Sequence, residues 1–476
     1  MSDLAIKTKK GLQWSAIERI LTQGMQLGIT LLLGRLLGPI AFGLIGMLAV
    51  FIAIANVFVD SGFTSALIRK TDRTNNDLVT AFYYNIAISS LCYLVLYCSA
   101  PYIADFYQQA ELKSLLRVLG LTVLINAFIL IPRMQLTVAM DFKTQAKISV
   151  ISVLVSGVTA TMLAINGYGV WALVVQTLLN ACCNLLLFTL FFPWLPRGKI
   201  TKTSFTYLFG FGSKLLLSGL LDVIYNNLYQ IIIGKKFSPA VVGQFTQANQ
   251  LASVPAATLT GIIQRVTYPM FSQLQDDPMK MENAYRLTLK IAAVVIFPLI
   301  IGLGLIAQPL LTLLLGAQWQ VAASLLSVLC FGYMLYPIHA INLNLLQVTG
   351  RSDLFLKLEV LKKIIGVAVL LVTIPFGVFI MCLGLSVVSY LALFLNTYYT
   401  GKITQLSQWQ QCKDLFPIWL AVILCAALAY SAGVYSQAVP WLQLLINVTV
   451  ALLSYAFYLL FMQKPLLLQL RTFLRS

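Results

Sequence analysis

Gly34-Arg35-Leu36-Leu37-Gly38-Pro39-Ile40-Ala41-Phe42-Gly43 recurs in outline 200 residues on, as Gly234-Lys235-Lys236-Phe237-Ser238-Pro239-Ala240-Val241-Val242-Gly243. Glycine, a basic residue, proline and glycine hold matched positions in the two copies. Each copy closes one long apolar run and opens the next, where a proline-containing turn joins two helices tightly. A match of four positions is weak on its own; its placement at equivalent connections is what makes it read as an internal duplication. Working outward from these turns, the chain resolves into fourteen apolar runs, near 12–36, 42–66, 79–99, 115–136, 146–165, 170–192, 207–232, 240–264, 288–309, 321–342, 360–375, 378–399, 415–434 and 440–461. About 20 apolar residues suffice for a helix to cross the hydrocarbon layer. With 59% hydrophobic and 10% charged residues and a mean hydropathy of +0.87, the composition fits an all-α integral membrane protein and little else.

Six runs lie between the two turns, an even number, so both copies keep one orientation and are related by a pseudo-twofold along the membrane normal. The expected organisation is an N-terminal lobe over 1–200 (spans 1–6), a C-terminal lobe over 201–400 (spans 7–12), and a helix pair with an interfacial tail over 401–476. A fainter echo pairs Asp141-Phe142-Lys143 with Asp353-Leu354-Phe355. The tail, Leu466 to Ser476 with Arg471 and Arg475, has the pattern of an interfacial amphipathic helix.

Charge fixes the expected topology. Of 32 Lys and Arg, 26 fall in connections on one side, five on the other (Arg35, Lys113, Arg117, Lys235, Lys236), and Lys214 falls within a span. The basic side is cytoplasmic, which puts both termini there. Topology and attraction to anionic headgroups account for the net charge of +17, so nucleic acid is not an expected partner. The basic start runs directly into a full-length apolar helix, without the short apolar core and cleavage site of a secretory signal. Eight cysteines lie mostly inside spans, without metal-ligand spacing, and read as small packing residues.

Polar residues gather on particular helices. Arg19, Gln23, Gln26 and Thr30 share one face of the first span, and Lys214, Ser218, Asp222, Tyr225 or Asn226, and Tyr229 one face of the seventh, its repeat partner. The second span carries Asn56, Asp60 and Thr64, and the eighth Thr246, Asn249, Gln250, Ser253, Thr260 and Gln264. A charge at mid-membrane costs at least ~2.5–3.5 kcal/mol, so these stripes should face water or protein. The expectation is a hydrated cleft lined by spans one, two, seven and eight, with Arg19, Arg35, Lys214 and Lys235 supplying positive potential. Buried structural ion pairs and snorkelling helix-end side chains are the competing reading.

Other polar residues read as structural. His339, the one histidine, fits a hydrogen-bonded structural role better than a proton relay. Asp276-Asp277 reads as a helix cap rather than a metal site. The chain has no G-x-x-x-x-G-K-[ST] phosphate loop. Its short outer connections hold only Asp105 and Glu111 as acidic residues, so no enzymatic activity, metal or organic cofactor is expected.

Leu37-Gly38-Pro39 with Phe42-Gly43, Asp60-Ser61-Gly62-Phe63 with Ala66-Leu67-Ile68, Arg265-Val266-Thr267-Tyr268-Pro269 through Gln275-Asp276-Asp277, Leu315-Gly316 with Trp319, and Gly350-Arg351-Ser352-Asp353 together resemble a polysaccharide transporter of the multidrug/oligosaccharidyl-lipid/polysaccharide exporter superfamily. The likeness is to the flippases for lipid-linked repeat units of O-antigen, capsule or exopolysaccharide, the colanic-acid type in particular, and it runs over essentially the whole chain. It implies two six-helix lobes plus two C-terminal helices, a V-shaped cleft and alternating access. It also implies an undecaprenyl-diphosphate-linked oligosaccharide as cargo, the bacterial inner membrane as location, and polymerase machinery and membrane lipids as partners. The expected substrate-facing set is Arg19, Gln23, Gln26, Arg35, Asn56, Asp60, Lys214, Asp222, Asn226, Tyr229 and Gln250. Asp222 or Asp60 would be the place for coupling to protons or sodium. Two alternatives within the same superfamily are a drug or cation exporter, for which Asp60 and Asp222 would hold the cargo, and a flippase for the peptidoglycan lipid precursor.

Overall fold

The computed structural model describes residues 3–404 and 406–464; ahead of Leu21, only the side chains of Trp14 and Glu18 are described. The expected amphipathic tail from Leu466 therefore lies outside the described residues, as does the side chain of Arg19. Regular structure among the described residues is helical throughout. The helices are α1 (Asp3–Asp60), α2 (Phe63–Arg69), α3 (Asn75–Tyr107), α4 (Glu111–Leu119), α5 (Leu121–Val138), α6 (Phe142–Ile165), α7 (Trp171–Phe191), α8 (Lys202–Lys236) and α9 (Pro239–Gln273). They continue with α10 (Pro278–Leu305), α11 (Ala307–Leu314), α12 (Gln320–Tyr333), α13 (Tyr336–Val348), α14 (Ser352–Thr373), α15 (Val378–Ile403), α16 (Gln408–Tyr435) and α17 (Pro440–Met462).

Local chemistry explains where these helices break. Gly38 sits at φ 72° inside α1, a left-handed conformation that glycine adopts without a Cβ clash, and Pro39 then starts the next turn without needing a backbone donor. Thus α1 is two spans meeting at the Gly38-Pro39 turn. Its second half stops at Asp60, short of the expected 66. Ser61 (φ 45°) and Gly62 (φ 69°) are both left-handed, and the chain re-enters the short helix α2. The fourth expected span is divided at Gly120 into α4 and α5, and the tenth at Met334-Leu335 into α12 and α13. The eleventh begins at Ser352 rather than near 360, so Lys357, Lys362 and Lys363 lie inside α14.

Among the described residues, eleven helical stretches are long and apolar enough to cross a membrane. One of these, Leu21–Arg69, contains both halves of α1. Helices α9 and α14 fall short in apolar character for visible reasons: α9 carries Gln244, Gln247, Asn249 and Gln250, and α14 carries five charged residues (Asp353, Lys357, Glu359, Lys362 and Lys363) in its first turns. With α1 taken as two, and these two added, the helices correspond one for one to the fourteen expected spans.

The chain divides into two compact units at Gly243/Gln244. In the first, Phe63, Leu67, Leu78, Ile131, Met134 and Leu208 form a fully buried cluster that ties α2, α3, α5 and α8 together. A second cluster, around Leu33, Ala160, Ala164 and Ala172, joins α1 to α6 and α7 through small side chains, the usual means of close approach between helices in lipid. In the second unit the largest fully buried side chains are Trp319, Tyr285, Phe271 and Phe297. Helix α10 packs against α12 and α16, and α12 against α15. Compactness and sequence repeat need not share a boundary: α8 opens the second repeat by sequence, yet in space it packs on α1, α2 and α3.

Candidate functional site: a polar face on α1 and α8

Helix α8 is held at both ends. Near its start, Arg69 lies over the Phe211 ring (5.0 Å) and Lys70 over Tyr207 (5.2 Å). Phe205 sits edge-on to Phe63 and beside Tyr84, and the Gly212 Cα faces the Ser61 carbonyl so closely that a Cβ would lie 2.3 Å from its oxygen. Lys70 also pairs with Asp77 at 2.8 Å, and Asp77 forms a capping box with Thr74 at the start of α3. At the far end Gly234 lies against Tyr107 and Met47, and Lys235 donates to the Phe106 carbonyl at 2.6 Å.

Between these anchors α8 is largely uncovered. Lys214, Ser218, Asp222 and Asn226 are all exposed. On α1, which packs alongside, Gln23, Gln26 and Arg35 are exposed, while Thr30, Asn56 and Asp60 are half-buried. Asp60 accepts a 2.5 Å hydrogen bond from Thr64 Oγ1 across the break at Ser61-Gly62. Eight members of the sequence-derived set thus lie on α1 and α8 of one unit, none of them buried: Gln23, Gln26, Arg35, Asn56, Asp60, Lys214, Asp222 and Asn226. These supply amide donors and acceptors, two cations and two carboxylates.

Three other expectations end differently. Tyr229 shares the α8 face by spacing but is buried, 8% exposed, because the C-terminal end of α8 is covered where the middle is not. Lys235 does not join the polar face: its ammonium closes the carbonyl end of α3 and lies 4.5 Å from the Phe106 ring, a favourable place for a cation. Gln250 sits half-buried on α9 in the second unit, beside Asn249, which accepts from the Tyr333 hydroxyl at 2.8 Å.

Several polar groups that sequence reading left aside prove structural. In the second unit the Tyr285 hydroxyl lies 2.6 Å from Asn342 Oδ1 and 2.9 Å from Gln411 Oε1, and Thr400 Oγ1 reaches the same two oxygens at 3.2 and 3.1 Å. Two hydroxyl donors thus serve two amide acceptors, all on fully buried residues from α10, α13, α15 and α16. Next to Tyr285 in the chain, Arg286 grips Asp414 with two bonds (2.7 and 3.0 Å), and Lys290, one turn further along α10, adds a third contact at 3.0 Å. Sequence showed these as scattered polar residues; only their convergence reveals the cluster. His339 is hydrogen-bonded, as expected: Asn396 Nδ2 donates to its Nδ1 (3.1 Å), and its Nε2 lies 3.1 Å from Ser389 Oγ. That serine donates its own proton to Gly332 O, so the ring carries hydrogen on Nε2. Asp277 caps α10, accepting from the Lys280 N–H at 3.1 Å, and that bond holds its carboxyl below the usual range. The eight cysteines are unpaired thiols.

This geometry can be set beside known proteins. The chain is 27% identical to the teichuronic acid biosynthesis protein TuaB of Bacillus subtilis, over 74% of each chain. It is 26% identical to the lipopolysaccharide biosynthesis protein WzxC of Escherichia coli, over 77% of this chain and 75% of that one. In fold it is similar to the lipid II flippase MurJ in an inward closed conformation, with a TM-score of 0.71 at 14% identity, covering 94% of this chain and 98% of that one. The model of the polysaccharide biosynthesis protein family matches residues 32–324, from the first turn of the repeat through the second half of α1 and all of α8 and into the second unit, so this multi-pass membrane chain belongs to that family.

Proposed function

We propose that the chain flips lipid-linked oligosaccharide repeat units, carried on undecaprenyl diphosphate, from the inner to the outer leaflet of the bacterial cytoplasmic membrane, with both termini in the cytoplasm. The observation that carries this is the uncovered stripe on α8 and α1: Lys214, Asp222 and Asn226 lie mid-helix and exposed rather than packed into the core. Lipid cannot solvate such groups at ~2.5–3.5 kcal/mol or more per charge, so the stripe faces water. A diphosphate with several sugars has the same difficulty in hydrocarbon, and a wet polar face resolves both. Gln23, Gln26 and Asn226 offer amides to sugar hydroxyls, and Lys214 and Arg35 offer cations to phosphate or uronate. The polyprenyl tail stays in the bilayer while alternating access exchanges the leaflet that the head meets.

The relatives' names, in teichuronic acid and lipopolysaccharide biosynthesis, support a surface-polysaccharide cargo over a drug or the peptidoglycan precursor. Asp222 or Asp60 would couple the cycle to protons or sodium, and a polymerase would take the delivered unit. The test is complementation of a strain that lacks its own exopolysaccharide flippase, supplied with matched glycosyltransferases. Restored polymer supports the reading; no polymer with any set, together with gained resistance to cationic drugs, overturns it.

A further inference from the structure

The two copies of the repeated turn meet each other. A Cβ built on Gly43 would lie 1.7 Å from the carbonyl oxygen of Pro239 and 2.6 Å from its carbon; one built on Gly243 would lie 1.9 and 2.8 Å from the same atoms of Pro39. The same built Cβ atoms would lie 3.1 and 3.0 Å from the amide nitrogen of the other glycine. All these obstacles are backbone atoms, which cannot swing aside as a side chain could. Given the length of a Cα–Cβ bond, each glycine Cα comes within about 3.4 Å of the opposing proline oxygen, the range of a Cα–H···O contact. The relation is reciprocal, 43 to 239 and 243 to 39, so a local twofold passes between the turns. Among twenty-four of the described glycines, only these two and Gly433 would place a Cβ within 2 Å of another atom, and Gly433 meets a side chain, Asn447.

We propose that the Pro39–Gly43 and Pro239–Gly243 turns form a releasable seam that shuts the outer end of the path along the α1 and α8 polar stripes. Three features argue for a closure rather than a permanent joint. The seam lies at the end of both polar helices, immediately beyond Arg35 on α1 and beyond Lys236 at the end of α8. Its cross-contacts are backbone to backbone, specific in register yet individually weak. Elsewhere the helices of each unit are joined by side chains, in apolar clusters and in charge pairs such as Arg286–Asp414 and Lys70–Asp77. A contact that must part and re-form in every cycle needs the first kind of chemistry. The inference rests on the transport reading for its orientation, with Pro39 on the outer side.

The experiment places a single reporter thiol, Asn226→Cys, in the full chain and reads its labelling by a membrane-impermeant maleimide in spheroplasts, as the increment over the chain with native Asn226. Gly43→Leu and Gly243→Leu are each added to the reporter, with Gly302→Leu as the control, since space around Gly302 is open. Export is measured separately in chains that keep Asn226. The seam predicts that each variant at 43 or 243 raises labelling roughly tenfold, the shift expected from losing a pair of weak contacts, and lowers export, while Gly302→Leu does neither. Unchanged labelling in variants that reach normal membrane levels overturns it. If the leucine variants fail to insert, Gly43→Ala and Gly243→Ala take their place; failure of these too would mark the contact as obligatory packing and also overturn it. Labelling needs no cargo, so a seam that opens on substitution in a chain that restores no polymer would leave the closure standing and remove the polysaccharide reading.

Discussion

One polar set in the first unit is displayed, and one in the second is hidden. On α1 and α8, Gln23, Gln26, Lys214, Asp222 and Asn226 are exposed; on α10, α13, α15 and α16, Tyr285, Asn342, Thr400 and Gln411 are buried and bonded to one another. Both sets consist of polar side chains on otherwise apolar helices, and in sequence they carry the same signature. What separates them is convergence. Four helices of the second unit aim their polar groups at one point, where donors and acceptors satisfy each other and nothing remains for a ligand. The first unit leaves charges and amides at mid-helix facing outward, which is costly in a membrane unless something polar occupies the space.

The largest expected effect lies on the displayed side. Lys214→Glu reverses the charge offered to a phosphate or uronate without touching a packed contact, so export should fall more than tenfold while membrane level and thermal midpoint stay at the parent values. A variant that exports normally would show that Lys214 is a bystander on a hydrated surface and would leave the comparison with only one functional pole. The opposite pattern belongs to the hidden side. Gln411 accepts from two hydroxyls, and its Nε2 donates to the carbonyls of Thr397 and Leu406 at 3.3 Å. Gln411→Leu strands several of these groups and should cost about 2–3 kcal/mol, read as a lowered thermal midpoint in detergent and a lowered membrane level. Export per surviving molecule should be unchanged.

Much of this was readable in the chain before any coordinate. Gly38-Pro39 and Pro239 mark real helix boundaries because turn chemistry is local. The stripes on α1 and α8 follow from helical spacing alone, and Gln23, Gln26, Lys214, Asp222 and Asn226 are exposed on them. What could not be read depends on distance in space. Nothing local to Tyr229 says that its end of α8 is covered, and nothing local to Lys235 says that the last carbonyls of α3 lie within its reach, 129 residues earlier in the chain. The ring of Tyr285, Asn342, Thr400 and Gln411 spans 126 residues between its ends, so no window of sequence contains it. The glycine repeat is intermediate: the matched positions are visible as text, but not that the two copies touch.

Within the hidden cluster a finer prediction separates its members. Tyr285→Phe removes one of two hydroxyl donors, and Thr400 can serve only one amide oxygen at a time while its own bond to the Asn396 carbonyl at 3.0 Å competes. The loss should be about 1–2 kcal/mol, smaller than for Gln411→Leu, because one acceptor rather than several groups is left short. Combining the two substitutions should cost less than their sum, since they share a hydrogen bond. Additive losses, measured as denaturation midpoints of the purified protein, would mean that the four residues act independently and that convergence is not what distinguishes this side.

The smallest effect tests the border between the two classes. Lys235 is exposed like a member of the polar face, yet its ammonium is spent on the Phe106 carbonyl, in the last turn of α3. A cation at a helix C-terminus contributes ~0.3–1 kcal/mol, so Lys235→Ala should lower the thermal midpoint slightly and leave export within twofold of the parent. Lys235→Arg keeps the charge, and its longer fork still reaches the carbonyl, so it should restore the midpoint. If Lys235→Ala instead abolished export as completely as Lys214→Glu, with Lys235→Arg unable to rescue it, the residue would belong to the ligand-facing set. Exposure alone would then outrank hydrogen-bond geometry as the mark of function on these helices.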